Sequence, residues 1–185
     1  YFPRQHFFPP PSTPPTLLIS TSPFKPHTEE IEKGVQVLLE NDIRWSRCDI
    51  KTIALLPNIL SRQNAVEQSA CETIWSRDGF ITEGTHTNFC AVKGGVLLTP
   101  RKSNFILSGV TRQVILHICR TLNISCSETS IKESELSDFD ECMIIGTTTE
   151  VTPVVKINEL TIRDGVPGEI TRKIQKELYR IIAGG

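Results

Sequence analysis

Four short stretches carry residue types that could do chemistry together. "RWSRCDIKTIALLPN" (44–58) sets Lys51 after Ile50 and just ahead of the apolar run Ile53 to Leu56. Such a lysine either snorkels its ammonium to water or sits in a site. There, low dielectric or a cationic neighbour lowers its pKa and makes the amine a nucleophile. "TEGTHTN" (82–88) places Glu83 before a glycine and a hydroxyl-rich turn. "LSGVTR" (107–112) is a glycine-led entry into a helix. The N–H groups of Val110 and Thr111, the Thr111 hydroxyl and the positive end of the helix dipole would face an anion there. A plain N-cap by Ser108 is the other reading. "GTTTEVTPV" (146–154) puts three threonines at a strand end, either as further donors to the same anion or as ordinary strand-end threonines.

A reactive lysine, an acid and a phosphate cradle in one chain suggest pyridoxal phosphate. The lysine amine would form a Schiff base with the aldehyde. The acid would keep the ring nitrogen protonated, so that the ring withdraws electrons from a carbanion.

The elements that must position these residues follow from periodicity. "TLLIST" (16–21) reads as a short strand, 22–34 as a polar, proline-punctuated loop, and "VQVLLEND" (35–42) as the next strand. From Ala54 to about Ser69, Leu55, Leu56, Ile59, Leu60, Ala65 and Val66 recur at helical spacing, which predicts a helix with Pro57 in its first turn. Hairpins are expected at Asp78-Gly79 and at Gly94-Gly95. An amphipathic helix is expected over 110–124, a short polar helix or turn over 133–140, and a strand running into a threonine-rich turn over 141–155. A second amphipathic helix, over 168–185, closes the chain. The prediction is an α+β lobe with mixed, largely antiparallel strands and flanking helices.

Composition narrows the class. A chain of 185 residues with net charge −1 recommends neither nucleic acid nor an anionic membrane as partner. No apolar run is long enough to span a bilayer, and YFPRQHFFPPP lacks a signal-peptide pattern. The six cysteines form no CxxC pair and sit in apolar segments. That reads as reduced, mostly buried cysteine in a cytoplasmic protein. The four histidines show no metal-ligand spacing. Residues 1–15 carry six prolines and read as a linker, a tail or a crossing between domains.

In order and spacing, "RWSRCDIKTIALLPNIL", "TEGTHTN", "LSGVTR" and "GTTTEVTPV" closely resemble the fold-type IV aminotransferases that use pyridoxal phosphate. That group includes D-amino acid aminotransferase, branched-chain aminotransferase and aminodeoxychorismate lyase. The resemblance runs from about Arg4 to the final helix. It implies that Lys51 is the Schiff-base lysine and proton shuttle, and that Glu83 pairs with the pyridine nitrogen. Leu107 would pack on the ring, while Val110, Thr111 and Thr147 hold the phosphate. Gly146, where relatives often carry serine, would offer a backbone N–H only. Arg44 would order the surroundings of the lysine. "PRQHFFP" (3–9) resembles an Arg-x-His segment in which Arg4 and His6 receive a substrate α-carboxylate across a homodimer interface. Extended backbone projects both to one side, and arginine suits a carboxylate through its bidentate fork.

The resemblance thus implies transamination between a D-amino acid such as D-alanine and a 2-oxo acid such as 2-oxoglutarate. The lyase, the branched-chain enzyme and a non-catalytic remnant stand as alternatives. Residues 1–26 would be the end of a small N-terminal domain with its linker, and 27–185 the large cofactor-binding domain. A family chain normally begins with more of that small domain, so the sequence is expected to be a fragment or a truncated product.

Overall fold

In the computed structural model, which describes residues 6–184, strands β4 (Asn88–Lys93) and β7 (Glu141–Gly146) are apolar on both faces. Phe89, Ala91, Cys142 and Ile144 point to one side and pack with Val37, Ile74 and Val154. Cys90, Val92, Met143 and Ile145 point to the other, against Ile115, Ile118, Ile174 and Leu178. Burial on both faces explains why these strands read as continuous apolar runs rather than alternating ones. Each fully buried aliphatic side chain contributes about 1.5–3 kcal/mol.

The other elements extend this centre. They are α1 (Thr28–Lys33), β1 (Val35–Asn41), α2 (Leu56–Glu67), β2 (Glu72–Arg77), β3 (Phe80–Gly84), β5 (Val96–Pro100), α3 (Val110–Thr121), β6 (Cys126–Thr129), β8 (Glu150–Ile157), β9 (Leu160–Thr161) and α4 (Glu169–Ile182), with a 3-10 turn at Glu133–Asp138. The strands form one mixed sheet in the order β3-β2-β1-β8-β7-β4-β5-β6, with β9 paired to β8. Strand β1 runs parallel to both β2 and β8, and β5 parallel to β6; the remaining pairs are antiparallel. Strands β3 and β4 stand far apart in this order yet touch across the short turn at 85–87, so the sheet curls into a half-barrel. The α+β lobe with mixed strands and flanking helices is the architecture expected from the sequence.

Both hairpins form where expected. Asp78-Gly79 and Gly94-Gly95 each have two consecutive positive φ values, the twist of tight hairpin turns. Pro57 stands in the first turn of α2.

Two expectations fail, over 16–21 and 22–34, and one helix face is turned unusually. Residues 16–21 form no strand: Leu17, Leu18 and Ile19 are exposed, and no described strand pairs with them. The expected loop over 22–34 contains α1. Its position comes from tertiary contacts, because Arg172 Nη1 and Gln175 Nε2 both donate to the Ile31 carbonyl, at 3.0 and 3.1 Å. The apolar stripe of α2 faces outward. Leu55, Leu56, Ile59 and Leu60 are exposed, while Ser61 and Ala65 are buried. The helix docks through polar groups instead, with Ser61 Oγ donating to Glu40 at 2.7 Å and accepting from Trp75 Nε1 at 3.2 Å.

Helix α4 is anchored from a distance. Its N-cap position, Gly168, has no side chain, and Glu141 of β7 supplies the acceptors. Glu141 Oε1 accepts from the Ile170 N–H at 2.9 Å, and Oε2 from the Thr171 N–H and hydroxyl at 2.8 and 2.6 Å. Glu141→Ala strands buried donors and should lower the unfolding free energy by about 1–3 kcal/mol. That is read as a lower urea midpoint at unchanged m-value. An unmoved midpoint would show that α4 docks without this cap.

Candidate active site

The site is organised where β1 ends. The Asp42 side chain is fully buried, and its carboxylate accepts from Arg44 Nε and Nη2 at 3.0 and 2.9 Å and from the Thr82 hydroxyl at 3.1 Å. Arg77 reaches the same carboxylate at 3.2 Å. Arg44 turns its remaining nitrogen, Nη1, to Glu83 Oε1 at 2.6 Å and lies 4.2 Å over the Trp75 ring. Glu83 Oε2 accepts from Asn88 Nδ2 at 3.0 Å and from the Leu107 N–H at 2.9 Å. Two loop segments and three strands thus meet on one buried charge cluster.

The two carboxylates respond differently. Burial pushes the Glu83 carboxyl up to about 7, and the charge of Arg44 with the hydrogen bonds it receives pulls back only in part. Burial also resists ionisation of Asp42, but the hydrogen bonds and charge of Arg44 hold it below the usual carboxylate range. Asp42 is therefore committed to its charge, while Glu83 is poised near neutrality, as groups that exchange protons often are.

Glu83 opens onto a cleft of about 940 Å³, within the roughly 300–1,000 Å³ that small-molecule sites occupy. Lys51 lines the same cleft, its side chain exposed on the wall. The segment carrying it is held to the loop before α3 by Cys48 N–H to the Asn104 carbonyl at 2.8 Å and Asn104 Nδ2 to the Ser46 carbonyl at 2.6 Å. Val110 and Thr111, at the start of α3, and the Gly146-Thr147 turn after β7 complete the far wall. Ser108 is not the cap of α3. The N-cap is Gly109, with no side-chain hydrogen bond, so the first N–H groups of the helix stay available. Glycine is required there: a Cβ on Gly109 would collide with the Asn88 side-chain oxygen and displace the amide that holds Glu83.

Lys51, Arg44, Glu83, Leu107, Val110, Thr111, Gly146 and Thr147 all line this one cleft. His6 is exposed and does not line it, and Arg4 lies outside the described residues. Sequence reasoning missed Asp42, Arg77, Asn88 and the pair formed by buried Glu72 and half-exposed His86. Their signal is weak in sequence, since acids and amides at strand ends are ordinary. All six cysteines are free; Cys48, Cys90, Cys119 and Cys142 are buried, and Cys126 is exposed. Among the described residues no helix is long and apolar enough to cross a membrane.

The Amino-transferase class IV family model matches residues 3–157. The chain is 39% identical over 180 residues to the D-alanine aminotransferase of Staphylococcus epidermidis, covering 97% of this chain and 64% of that protein. It is 38% identical over 168 residues to the D-alanine aminotransferase of Bacillus licheniformis, covering 91% and 59%. Among solved structures it matches the branched-chain amino acid aminotransferase of Escherichia coli with a TM-score of 0.77 at 27% identity, over 86% of this chain and 55% of that one. A branched-chain amino acid aminotransferase from Thermobaculum terrenum, in its PLP-form, matches with a TM-score of 0.78 at 25% identity, over 88% and 55%. The chain belongs to the class IV aminotransferases, and its half-barrel is their fold. It spans about 64% of the length of the first of these curated relatives.

The raised Glu83 pKa has a testable sign. Folded Glu83 binds its proton at higher pH than its ordinary 4.5. The folded state therefore holds more protons between about 4.5 and about 7. The contribution of Glu83 to stability is full below that window and is lost as pH rises through it. Glu83→Gln should flatten this fall relative to wild type, measured by urea midpoints at both ends of the window. Parallel curves for the two proteins would refute the assignment.

Proposed function

We propose that the protein is a pyridoxal 5'-phosphate-dependent transaminase that exchanges an amino group between a D-amino acid of the D-alanine type and a 2-oxo acid of the 2-oxoglutarate type. One observation carries the reading: Lys51, Glu83, the start of α3 and the Gly146-Thr147 turn converge on one cleft. The identity to D-alanine aminotransferases supports the D-amino acid branch. The likeness to branched-chain enzymes supports a second reading, in which the apolar lining by Leu55, Ile59 and Val66 takes a branched side chain.

The residues present fit that cofactor: an amine on the wall, a poised carboxyl and a helix start uncapped by side chains. When bound, it supplies a ring that withdraws electrons from the substrate α-carbon. Lys51 would hold it covalently and would move a proton to and from that carbon. Glu83 would hold a proton at the ring nitrogen, and a carboxyl poised near neutrality passes and retains such a proton at little cost. Arg44 would stabilise the carboxylate left behind. Leu107 would pack on the ring. Val110, Thr111, Gly146 and Thr147 would bind phosphate through N–H groups and hydroxyls.

Arg4 and His6 would receive the substrate carboxylate in the cleft of a second subunit, and the position of His6 off its own cleft supports that arrangement. The exposed Trp45, Ile53, Leu56 and Leu60 near the cleft support a homodimer in which this surface is covered. On this reading residues 1–26 would be the end of a small domain with its linker, and 27–185 the large domain. Six free cysteines support a reducing, cytoplasmic setting.

The purified chain with added cofactor should give pyruvate from D-alanine and 2-oxoglutarate, and borohydride should fix the cofactor on the peptide containing Lys51. Lys51→Ala should abolish the fixed adduct and lower pyruvate formation by about a thousandfold or more. Turnover of L-leucine in preference to D-alanine would favour the branched-chain reading. Pyruvate released from aminodeoxychorismate without an oxo-acid acceptor would make it the lyase. Cofactor fixation without any turnover would leave a binding remnant.

A further inference from the structure

The turn between β3 and β4 holds a second buried carboxylate that the proposed chemistry does not use. Glu72 of β2 is fully buried. It accepts from the Thr73 N–H at 2.9 Å and from the hydroxyls of Thr85 and Thr87 at 2.5 and 3.2 Å. His86 Nδ1 lies 2.9 Å from Glu72 Oε2, while half of the His86 side chain is exposed and lines the cleft. Gly84 makes the approach possible, because a Cβ there would press on the Thr87 hydroxyl and the Glu72 carboxylate. Burial works against the charge of Glu72, but the hydrogen bond and charge of His86, with the Thr85 hydroxyl, keep its pKa below the usual range.

Nδ1 is thus engaged by Glu72 and Thr85, while Nε2 makes no hydrogen bond to a described residue. The backbone of His86 lies beside the Gly146-Thr147 turn, its carbonyl 3.6 Å from where a Cβ on Gly146 would stand. We propose that Glu72 and His86 form an oxyanion-binding pair on the cleft wall, in which Nε2–H donates to a phosphate or carboxylate oxygen of the bound cofactor or substrate. The proposal rests on the cleft being the cofactor and substrate site.

The proton balance is explicit. A neutral ring with its proton on Nδ1 offers Nε2 as an acceptor only. Adding one proton makes Nε2 a donor, and Glu72 then carries the charge that pairs with the imidazolium. Oxyanion binding therefore takes up a proton, so affinity falls as pH rises. The other charged groups on this cleft are Arg44, Lys51, Arg62 and Glu83. Arg44 is already engaged by Asp42 and Glu83.

The test uses the full chain with 15N-labelled histidine, titrated separately with inorganic phosphate and with glutarate, and read by correlation spectra of the imidazole nitrogens. His86 is assigned by the signal lost in His86→Asn. Its Nε2 signal should shift saturably. Tighter phosphate assigns the pair to the cofactor, and tighter glutarate assigns it to a substrate carboxylate. Glu72→Gln, and a rise in pH that leaves the ring neutral, should each weaken this binding by about tenfold, the worth of one charge-assisted hydrogen bond. His86→Asn keeps a donor for Glu72 and should weaken the binding as much by calorimetry, which covers the case of a Glu72→Gln chain that fails to fold. A His86 signal silent to both anions, or an affinity indifferent to pH and to His86→Asn, overturns the proposal. The titration needs neither cofactor nor turnover. A chain that transaminates D-alanine with His86 silent refutes the pair alone, and a chain that binds anion at His86 without transaminating refutes the functional reading alone.

Discussion

Arg44 bridges Asp42 and Glu83, and the shape of the site depends on that bridge. Its guanidinium also donates to the Phe105 carbonyl at 3.2 Å, so one side chain ties the end of β1, strand β3 and the loop before α3. Breaking a buried ion pair by removing one partner costs about 3–5 kcal/mol, a large share of the roughly 5–15 kcal/mol that holds a domain together. The loop that carries Lys51 leaves from this cluster, which sets where the amine enters the cleft. The Trp75 ring beneath the guanidinium passes the constraint to α2 through Ser61.

The same cluster explains how a carboxyl can touch an arginine and still titrate near neutrality. Asp42 shares the guanidinium and offsets much of its charge, and its own negative charge adds to the burial that resists ionisation of Glu83. Eleven residues earlier in the chain, Glu72 is buried as deeply yet held ionised, because an imidazole and a hydroxyl lead the groups that favour its charge and no acid shares them. One hairpin thus presents two carboxylates in two protonation regimes, set by neighbours and not by depth.

The apolar positions of α2 show a second division of labour. A helix with a helical-period apolar stripe normally buries it. Here Ser61 and Ala65 make the contact with the sheet, and Leu55, Ile59 and Val66 turn to the cleft. The helix is held by polar bonds to Glu40 and Trp75, which frees its apolar face to line a binding surface.

Much of the fold was legible because it is decided locally. Glycine-bearing turns with two positive φ values set both hairpins, proline sets the start of α2, and helical periodicity sets α3 and α4. The residues lining the cleft were legible too, as four short segments whose residue types match one chemistry. What sequence alone could not decide depends on distant partners. Residues 16–21 have strand-like composition and no strand beside them; α1 exists because Arg172 and Gln175 reach it from α4. Helical spacing predicted α2, but periodicity reports a face and not what the face meets, and here the apolar face is exposed. Asp42, Asn88, Glu72 and His86 entered the site only once the curled sheet brought strand ends together. The sequence determined which chemistry was available; the tertiary structure decided which acid is charged, which is poised and which side chains reach the cleft, because charge state follows burial and neighbours contributed from across the chain.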